Sequence, residues 1–291
     1  MKITKACFNP IYLPFLNAQE RVQIFYGGSS SGKSFYLAQR CIIDVVSKGR
    51  NYLICRNVGA TLKKSTFNEL NKCISFFKLK NLFSINQTDM TITCLLNNAQ
   101  IMFSGLDDPE KIKSITPLKG VLTDVWVEEA TETDYNAVKQ LQKRLRGKSN
   151  HNKRIILSFN PILQSHWIYK EFFKDWDDNK KLYRTKDLLI LKTTYKDNKH
   201  LTKDDIYALE NEKDEYFYNV YSLGLWGVLG AVIYRNWRVE DLTERIPSFD
   251  NYKIGLDFGF ADHPSALVIT HYDKNRKKIY VIDELYVKGM D

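Results

Sequence analysis

Apolar and polar positions follow two different periods along this chain. Arg21 to Tyr26 (RVQIFY) is a strand-type run that stops at Gly27-Gly28 and the serines Ser29, Ser30 and Ser31. From Ser34 to Ser47 the period becomes helical, with Phe35, Ala38, Cys41, Ile42 and Val45 on one face and Gly49 as a stop. Asn51 to Cys55 predicts the next strand and Leu62 to Phe77 a second helix, the alternation of a parallel sheet covered by helices. Thr91 to Leu96 and Gln100 to Ser104 flank Asn97-Asn98 as a hairpin. Val121 to Val127 and Arg154 to Phe159 predict further strands, and Thr133 to Leu145 and Ser165 to Phe173 further helices. The pattern places an α/β domain over residues 1–180. Charge and tyrosine then thicken through a linker subdomain, 181–248, which holds one expected helix, Thr202 to Tyr218. A β-rich unit follows over 249–291, with strands starting at Asn251 (NYKIGLDFGF), Ser265 to His271, and Lys278 to Leu285. Three such strands are too few to bury a core, so this unit is expected to be incomplete, in a fragment or a naturally truncated chain.

The composition is that of a folded globular chain: 291 residues, 44% hydrophobic and 26% charged. An excess of 43 Lys and Arg over 34 Asp and Glu, a formal +9, makes polyanions such as nucleic acid suitable partners. The cysteines, Cys7, Cys41, Cys55, Cys73 and Cys94, are odd in number and never spaced C-x-x-C, which points away from a disulfide framework or zinc site and toward a reducing compartment. The N-terminus lacks a secretory pattern. Tyr216 to Tyr234 carries no charge, but Asn219, Ser222, Gly224, Gly227 and Gly230 interrupt it, so a buried, turn-rich connection is expected there and no membrane span.

The chemistry is concentrated at the ends of the expected strands. Gly27-Gly28-Ser29-Ser30-Ser31-Gly32-Lys33-Ser34 matches G-x-x-x-x-G-K-[ST] between a strand and a helix. Glycines let backbone N–H groups close around phosphates at a helix N-terminus. Lys33 is then the residue that reaches the β- and γ-phosphates of ATP, and Ser34 offers a hydroxyl to Mg²⁺. Glu128 and Glu129 follow the apolar run Val125-Trp126-Val127. Glu128 is the metal-side candidate, and Glu129 is placed to orient and deprotonate an attacking water. The plainer explanation, two acids starting the following helix, loses weight behind a complete phosphate loop.

With Ser158-Phe159-Asn160-Pro161 at the end of the next strand, these elements together resemble the large subunits of phage terminases, the ATPase motors that package DNA into empty capsids. Thr193-Thr194-Tyr195-Lys196-Asp197-Asn198, Tyr221 to Gly230 and Ile233-Tyr234 are similar to the linker of the PBSX-type branch. The resemblance covers nearly the whole chain. It implies an ASCE-type P-loop NTPase sheet followed by a linker and the first strands of an RNase H-like nuclease. Ser158 and Asn160 take the place of the coupling motif that senses the γ-phosphate. Gln19, just upstream of the first strand near Asn17 and Arg21, takes the adenine side. Asp257 matches the first nuclease acid, where a second Mg²⁺ or Mn²⁺ could bind, although the family's further acids lie beyond the strands present and Glu284 reads as a solvated strand end. Nuclease activity is therefore doubtful.

Several relatives carry an arginine in the phosphate loop where this chain has Ser29-Ser30-Ser31, so the arginine-finger role moves elsewhere. Lys119, before Gly120, is the candidate acting in trans. The basic run from Lys139 to Arg154, with Arg144 and Arg146, is weighed evenly between a solvated helix face and a surface for the DNA backbone. Arg56, ending the second strand, is another candidate for phosphate or DNA. The resemblance also implies double-stranded DNA, a small terminase subunit and the procapsid portal as partners, a homo-oligomeric ring when docked, and a place in the host cytoplasm with transient residence at the portal. A P-loop phosphotransferase and a non-catalytic DNA-binding assembly protein remain as alternatives.

Overall fold

The structure, a computed structural model, describes residues 3–107, 112, 114–227, 240–258 and 265–287. The chain divides into two units, Met1–Ile233 and Tyr234–Asp291. Residues 228–239 of the expected linker and 259–260 of the third-unit motif lie outside the described residues.

The first unit is built on a sheet of order β3-β4-β5-β2-β6-β7-β1-β9-β8. Its strands are β1 (Val22–Gly27), β2 (Tyr52–Arg56), β3 (Phe83–Asn86), β4 (Thr91–Cys94), β5 (Gln100–Gly105), β6 (Asp124–Glu128), β7 (Arg154–Phe159), β8 (Leu182–Arg184) and β9 (Leu188–Thr193). From β5 to β9 in that order the neighbours run parallel, and antiparallel strands finish both edges. The central strands are apolar on both sides because helices cover both. Phe25, Trp126 and Ile156 join one core with α1 (Lys33–Lys48) and, past a short α2 (Gly59–Leu62), α3 (Thr66–Phe76). Ile24, Tyr26, Val125 and Val127, their neighbours in sequence, join the other core with α4 (Tyr135–Arg144) and α5 (Trp167–Phe172). The alternation is the period-two pleat of a strand. The cysteines are free and buried, and no helix among the described residues is long and apolar enough to cross a membrane.

Three expectations change. The sheet does not stop near residue 180: β9 pairs with β1 from Val22↔Leu188 to Gly27↔Thr193 and β8 pairs with β9, so the expected boundary falls short of two strands. The expected helix Leu62–Phe77 is interrupted between Leu62 and Thr66, which turns the Ser65 and Thr66 hydroxyls toward Glu128. The expected helix Thr202–Tyr218 also divides. Its first part, α6 (Lys203–Glu210), begins at a Thr202–Asp205 capping box, and Asp214 then caps a new start with bonds from the Tyr216 and Phe217 N–H groups before a π-helical turn over Tyr218–Ser222.

The second unit is an antiparallel sheet of β10 (Tyr252–Asp257), β11 (Ser265–Asp273) and β12 (Lys278–Val287). Ile254 and Leu256 stand on one face of β10, Ile254 in register with Ile269 and Leu256 with Leu267 and, beyond it, Leu285, and both remain exposed.

Candidate active site

Parallel strands deliver their C-terminal residues to one edge, and the candidate residues of β1, β6 and β7 meet there. At the end of β1, Gly27 (φ 141°) passes so close to β9 that a Cβ would lie 1.8 Å from the Thr193 carbonyl oxygen. Gly32 (φ 81°) adopts a left-handed turn that starts α1, so Lys33 and Ser34 occupy its first positions with their N–H groups free of helix bonds. Side chains from distant segments brace the loop. The Tyr12 hydroxyl donates to the Ser31 carbonyl (3.0 Å) and shares a hydrogen bond with the Thr193 hydroxyl (3.0 Å), and Asn198 Nδ2 donates to the Ser30 carbonyl (2.8 Å). The Gly28 N–H donates to the Thr193 carbonyl and the Ser29 N–H to the Tyr221 carbonyl.

Lys33 is buried, and its ammonium donates to the Gly28 carbonyl (3.2 Å) and to Asn160 Oδ1 (2.5 Å). Asn160 Nδ2 in turn donates to Ser29 Oγ (3.1 Å), so Asn160, just past the end of β7, bridges the two ends of the phosphate loop. Burial pulls the Lys33 pKa down to about 8 against the opposing charges of Glu129 and Glu128. The same burial raises the Glu129 carboxyl above its ordinary value, with Lys33 and Arg56 acting in the other direction. Glu128 closes β6 and accepts hydrogen bonds from Ser65 Oγ (3.0 Å) and Thr66 Oγ1. Ser34, Glu128 and Glu69 share a cavity of about 190 Å³ with Lys64, Ser65, Asn68 and Lys72. A hydroxyl and carboxylates are hard oxygen donors of the kind Mg²⁺ takes, so the donor set fits that ion. Glu129 itself sits at φ 49°, ψ 51°, a left-handed backbone uncommon outside glycine, at the start of the turn Ala130–Glu132.

Within the first unit, Gln19 and Lys119 do not join this edge. Gln19 precedes β1 and lies at the other end of the sheet, a strand length of roughly 20 Å away, where its amide donates to the Asn17 carbonyl and its oxygen faces Arg50. The structure therefore does not bring it to the phosphate loop. Lys119 is exposed at that same far end, its carbonyl held by Asn51 Nδ2, and cannot serve its own subunit's loop. Ser158 is buried, with its hydroxyl accepting from Trp126 Nε1 (2.8 Å), so it packs the sheet while Asn160 alone of the pair reaches the loop. Arg144 donates to the Ile115 carbonyl and is only half-exposed, whereas Arg146 is exposed. Arg154, the end of the basic run, is fully buried. Asp257 is exposed on β10, in register with Ala266, while Glu284 lies on the third strand beside Val268. No group of three or more His, Cys, Asp or Glu among the described residues could hold a metal ion, so a second metal centre at Asp257 gains no support. Sequence reasoning missed Tyr12, Ser65 and Thr66, none of which carries a motif of its own, and it placed Asn198 in the linker stretch without its contact to the loop.

A mostly parallel sheet with helices on both faces, with a glycine loop after β1 and with β7 between β1 and the acid-bearing β6, is consistent with an ASCE-type P-loop NTPase fold. Residues 19–224 match the sequence profile of the family described as phage terminase large subunit (Terminase_3), which is more than half of the chain, and the chain belongs to that family. It is 29% identical to the large terminase subunit of Bacillus phage SPP1 over 92% of this chain and 64% of that protein. It is 27% identical to the PBSX phage terminase large subunit of Bacillus subtilis over 97% of this chain and 68% of that protein. The chain thus spans about two thirds of the length of these relatives. Among solved structures, the large terminase of a thermophilic bacteriophage shares the fold at a TM-score of 0.58 and 17% identity, over 97% of this chain and 67% of that one. That protein has also been solved in complex with ATP-γ-S.

Proposed function

We propose that this chain is the ATP-hydrolysing part of a motor that moves double-stranded DNA into a procapsid. The observation that carries the reading is the convergence of Lys33, Asn160, Glu128 and Glu129 at one edge of the sheet, from three different strand ends. In this reading Lys33 leaves Asn160 for the β- and γ-phosphates, with the backbone N–H groups of Ser30 to Ser34 around them. Ser34 and Glu128 hold Mg²⁺, which supplies neutralisation of charge on the phosphate oxygens when bound. Glu129 orients the attacking water and takes its proton, a task suited to a carboxylate whose pKa burial has raised. Asn160, released by Lys33, senses the γ-phosphate and passes its presence to β7.

The likeness to terminase large subunits supports the wider assignments. The exposed Arg146 and its basic neighbours contact the DNA backbone, with Arg144 contributing in part, and Lys119 acts in trans on a neighbouring subunit of a homo-oligomeric ring. The strands of the second unit begin an RNase H-like domain, with Asp257 as its first acid. The small terminase subunit and the portal are the remaining partners, and the host cytoplasm the compartment.

The test is phosphate release from Mg²⁺-ATP with and without linear duplex DNA, for the wild type and Glu129→Gln. Release without any added acceptor, stimulated by DNA and lost by about 100-fold or more in the variant, is the expected result. Turnover that requires an acceptor would instead identify a phosphotransferase. Nucleotide binding without turnover in either protein would leave a non-catalytic assembly role.

A further inference from the structure

Glu129 holds a left-handed backbone that a glutamate rarely adopts, so neighbouring structure has to impose it. Two attachments fix the turn that follows. On one side the Glu132 N–H donates to the Glu129 carbonyl (2.9 Å), and the Glu132 carboxylate receives Arg56 side-on, Nε to Oε2 and Nη2 to Oε1, both at 3.3 Å. On the other, Thr133 closes onto the Ala130 carbonyl through its N–H (3.2 Å) and hydroxyl (2.7 Å), while Trp167 Nε1 donates to the Thr133 carbonyl (2.7 Å). Arg56 ends β2, which pairs with β6, so its guanidinium stands at the strand end next to Glu128 and Glu129.

The Arg56 and Glu132 side chains are 21% and 46% exposed, and a pair so open to water adds little to stability. Its two-point geometry instead fixes the angle at which the turn leaves β6. We propose that Arg56 and Glu132 form a positioning latch that holds Glu129 in its reactive backbone geometry. In this role neither residue is a ligand of the nucleotide. The inference rests on the ATPase reading, because it assigns the latch to the same reaction. The pair also explains why a basic residue at the end of β2 is absent from the phosphate loop: its guanidinium is committed to Glu132. Misplacing a catalytic group by about 1 Å can cost on the order of 100-fold in rate while leaving substrate affinity intact.

The experiment compares steady-state Mg²⁺-ATP turnover and the binding of a fluorescent ADP analogue in the wild type, Arg56→Gln, Glu132→Gln, the double variant, Arg56→Lys and the charge-reversed pair Arg56→Glu/Glu132→Arg, with Glu129→Gln as reference. The expected result is a fall in kcat of about 10- to 100-fold in each single variant, with KM and analogue affinity within about two-fold of wild type. The double variant should lose no more than either single one, and Arg56→Lys and the reversed pair should recover part of the rate. Unchanged kcat in both single variants, alongside loss in Glu129→Gln, would overturn the latch and leave the ATPase reading standing. A raised KM with unchanged kcat in Arg56→Gln would also overturn it, since Arg56 would then be a ligand of the nucleotide. A wild type without turnover, equal to Glu129→Gln, would remove the ATPase reading and the latch with it.

Discussion

The two ends of the same sheet bury charge in opposite ways. At the end where β6 and β7 begin, Arg154 reaches Asp124 (2.5 Å), Asp44 (2.6 Å), the Tyr52 hydroxyl (2.9 Å) and the Ala18 carbonyl (3.1 Å). Arg50 adds a second contact to Asp124 (2.9 Å), and Tyr52, Lys48 and Thr123 fill most of what the carboxylates leave open. Burial alone would raise the Asp44 carboxyl, but Arg154, Arg40 and the bonds from Lys48 and Tyr52 outweigh it and hold it well below the usual carboxylate range. At the other end, Lys33 is held by one carbonyl and one amide oxygen, its pKa is pulled down, and that of Glu129 is pushed up. On the proposed reading, the charges held by several partners tie the layers of the fold together, and the sparsely held charges at the candidate site are kept for a ligand.

The sharpest way to break that contrast is Arg154→Leu. It removes the cation that Asp44 and Asp124 share, leaving Asp44 to Lys48 and Tyr52 and Asp124 to Arg50 and Thr123, and removal of one partner from a buried network costs about 3–5 kcal/mol. Urea denaturation should show this loss. A loss under about 1 kcal/mol would mean that the network adds little.

Acid should separate the ends next. Because the folded-state pKa of Asp44 is depressed, its contribution is complete above the unfolded value near 4 and is lost as pH falls through the lower folded value. Asp44→Asn should abolish that part of the pH dependence, worth on the order of 2 kcal/mol, in denaturation curves between about pH 5 and 2. An unchanged slope would show that other groups set the acid limit.

A smaller effect belongs to the strap over the phosphate loop. Gly224 (φ 62°) lies so close that an added Cβ would be 2.7 Å from the Gly27 Cα and the Gly28 nitrogen. Gly224→Ala should therefore cost about 1–2 kcal/mol and weaken nucleotide binding, measured by melting and by titration with Mg²⁺-ADP. Equal affinity with lowered stability would confine the contact to folding.

The candidate edge was legible in the sequence because its chemistry is local. A glycine loop between a strand and a helix, two acids at one strand end and Asn160 at the next can be read without knowing what touches what. Most of the β-strands and most helices followed from period, whereas β3, β8 and β9 did not. The opposite edge was not legible, because Asp44, Arg50, Asp124 and Arg154 are isolated charges until the sheet assembles them, and Arg154 even counted toward a basic surface run. The braces of the loop, Tyr12 and Asn198, are likewise brought in from far along the chain. The sheet boundary moved because β9 follows a connection rich in polar residues, whereas its place beside β1 depends on pairing across the whole domain.

The central claim, that Lys33 is kept for ATP at no benefit to the resting fold, is tested most directly by measuring thermal unfolding and Mg²⁺-ATP turnover together for Lys33→Ala. The expected result is a melting temperature equal to or above that of the wild type, with turnover reduced by about 100-fold or more. A melting temperature lowered by about 5 °C or more, with turnover retained, would place Lys33 among the structural charges and contradict the claim.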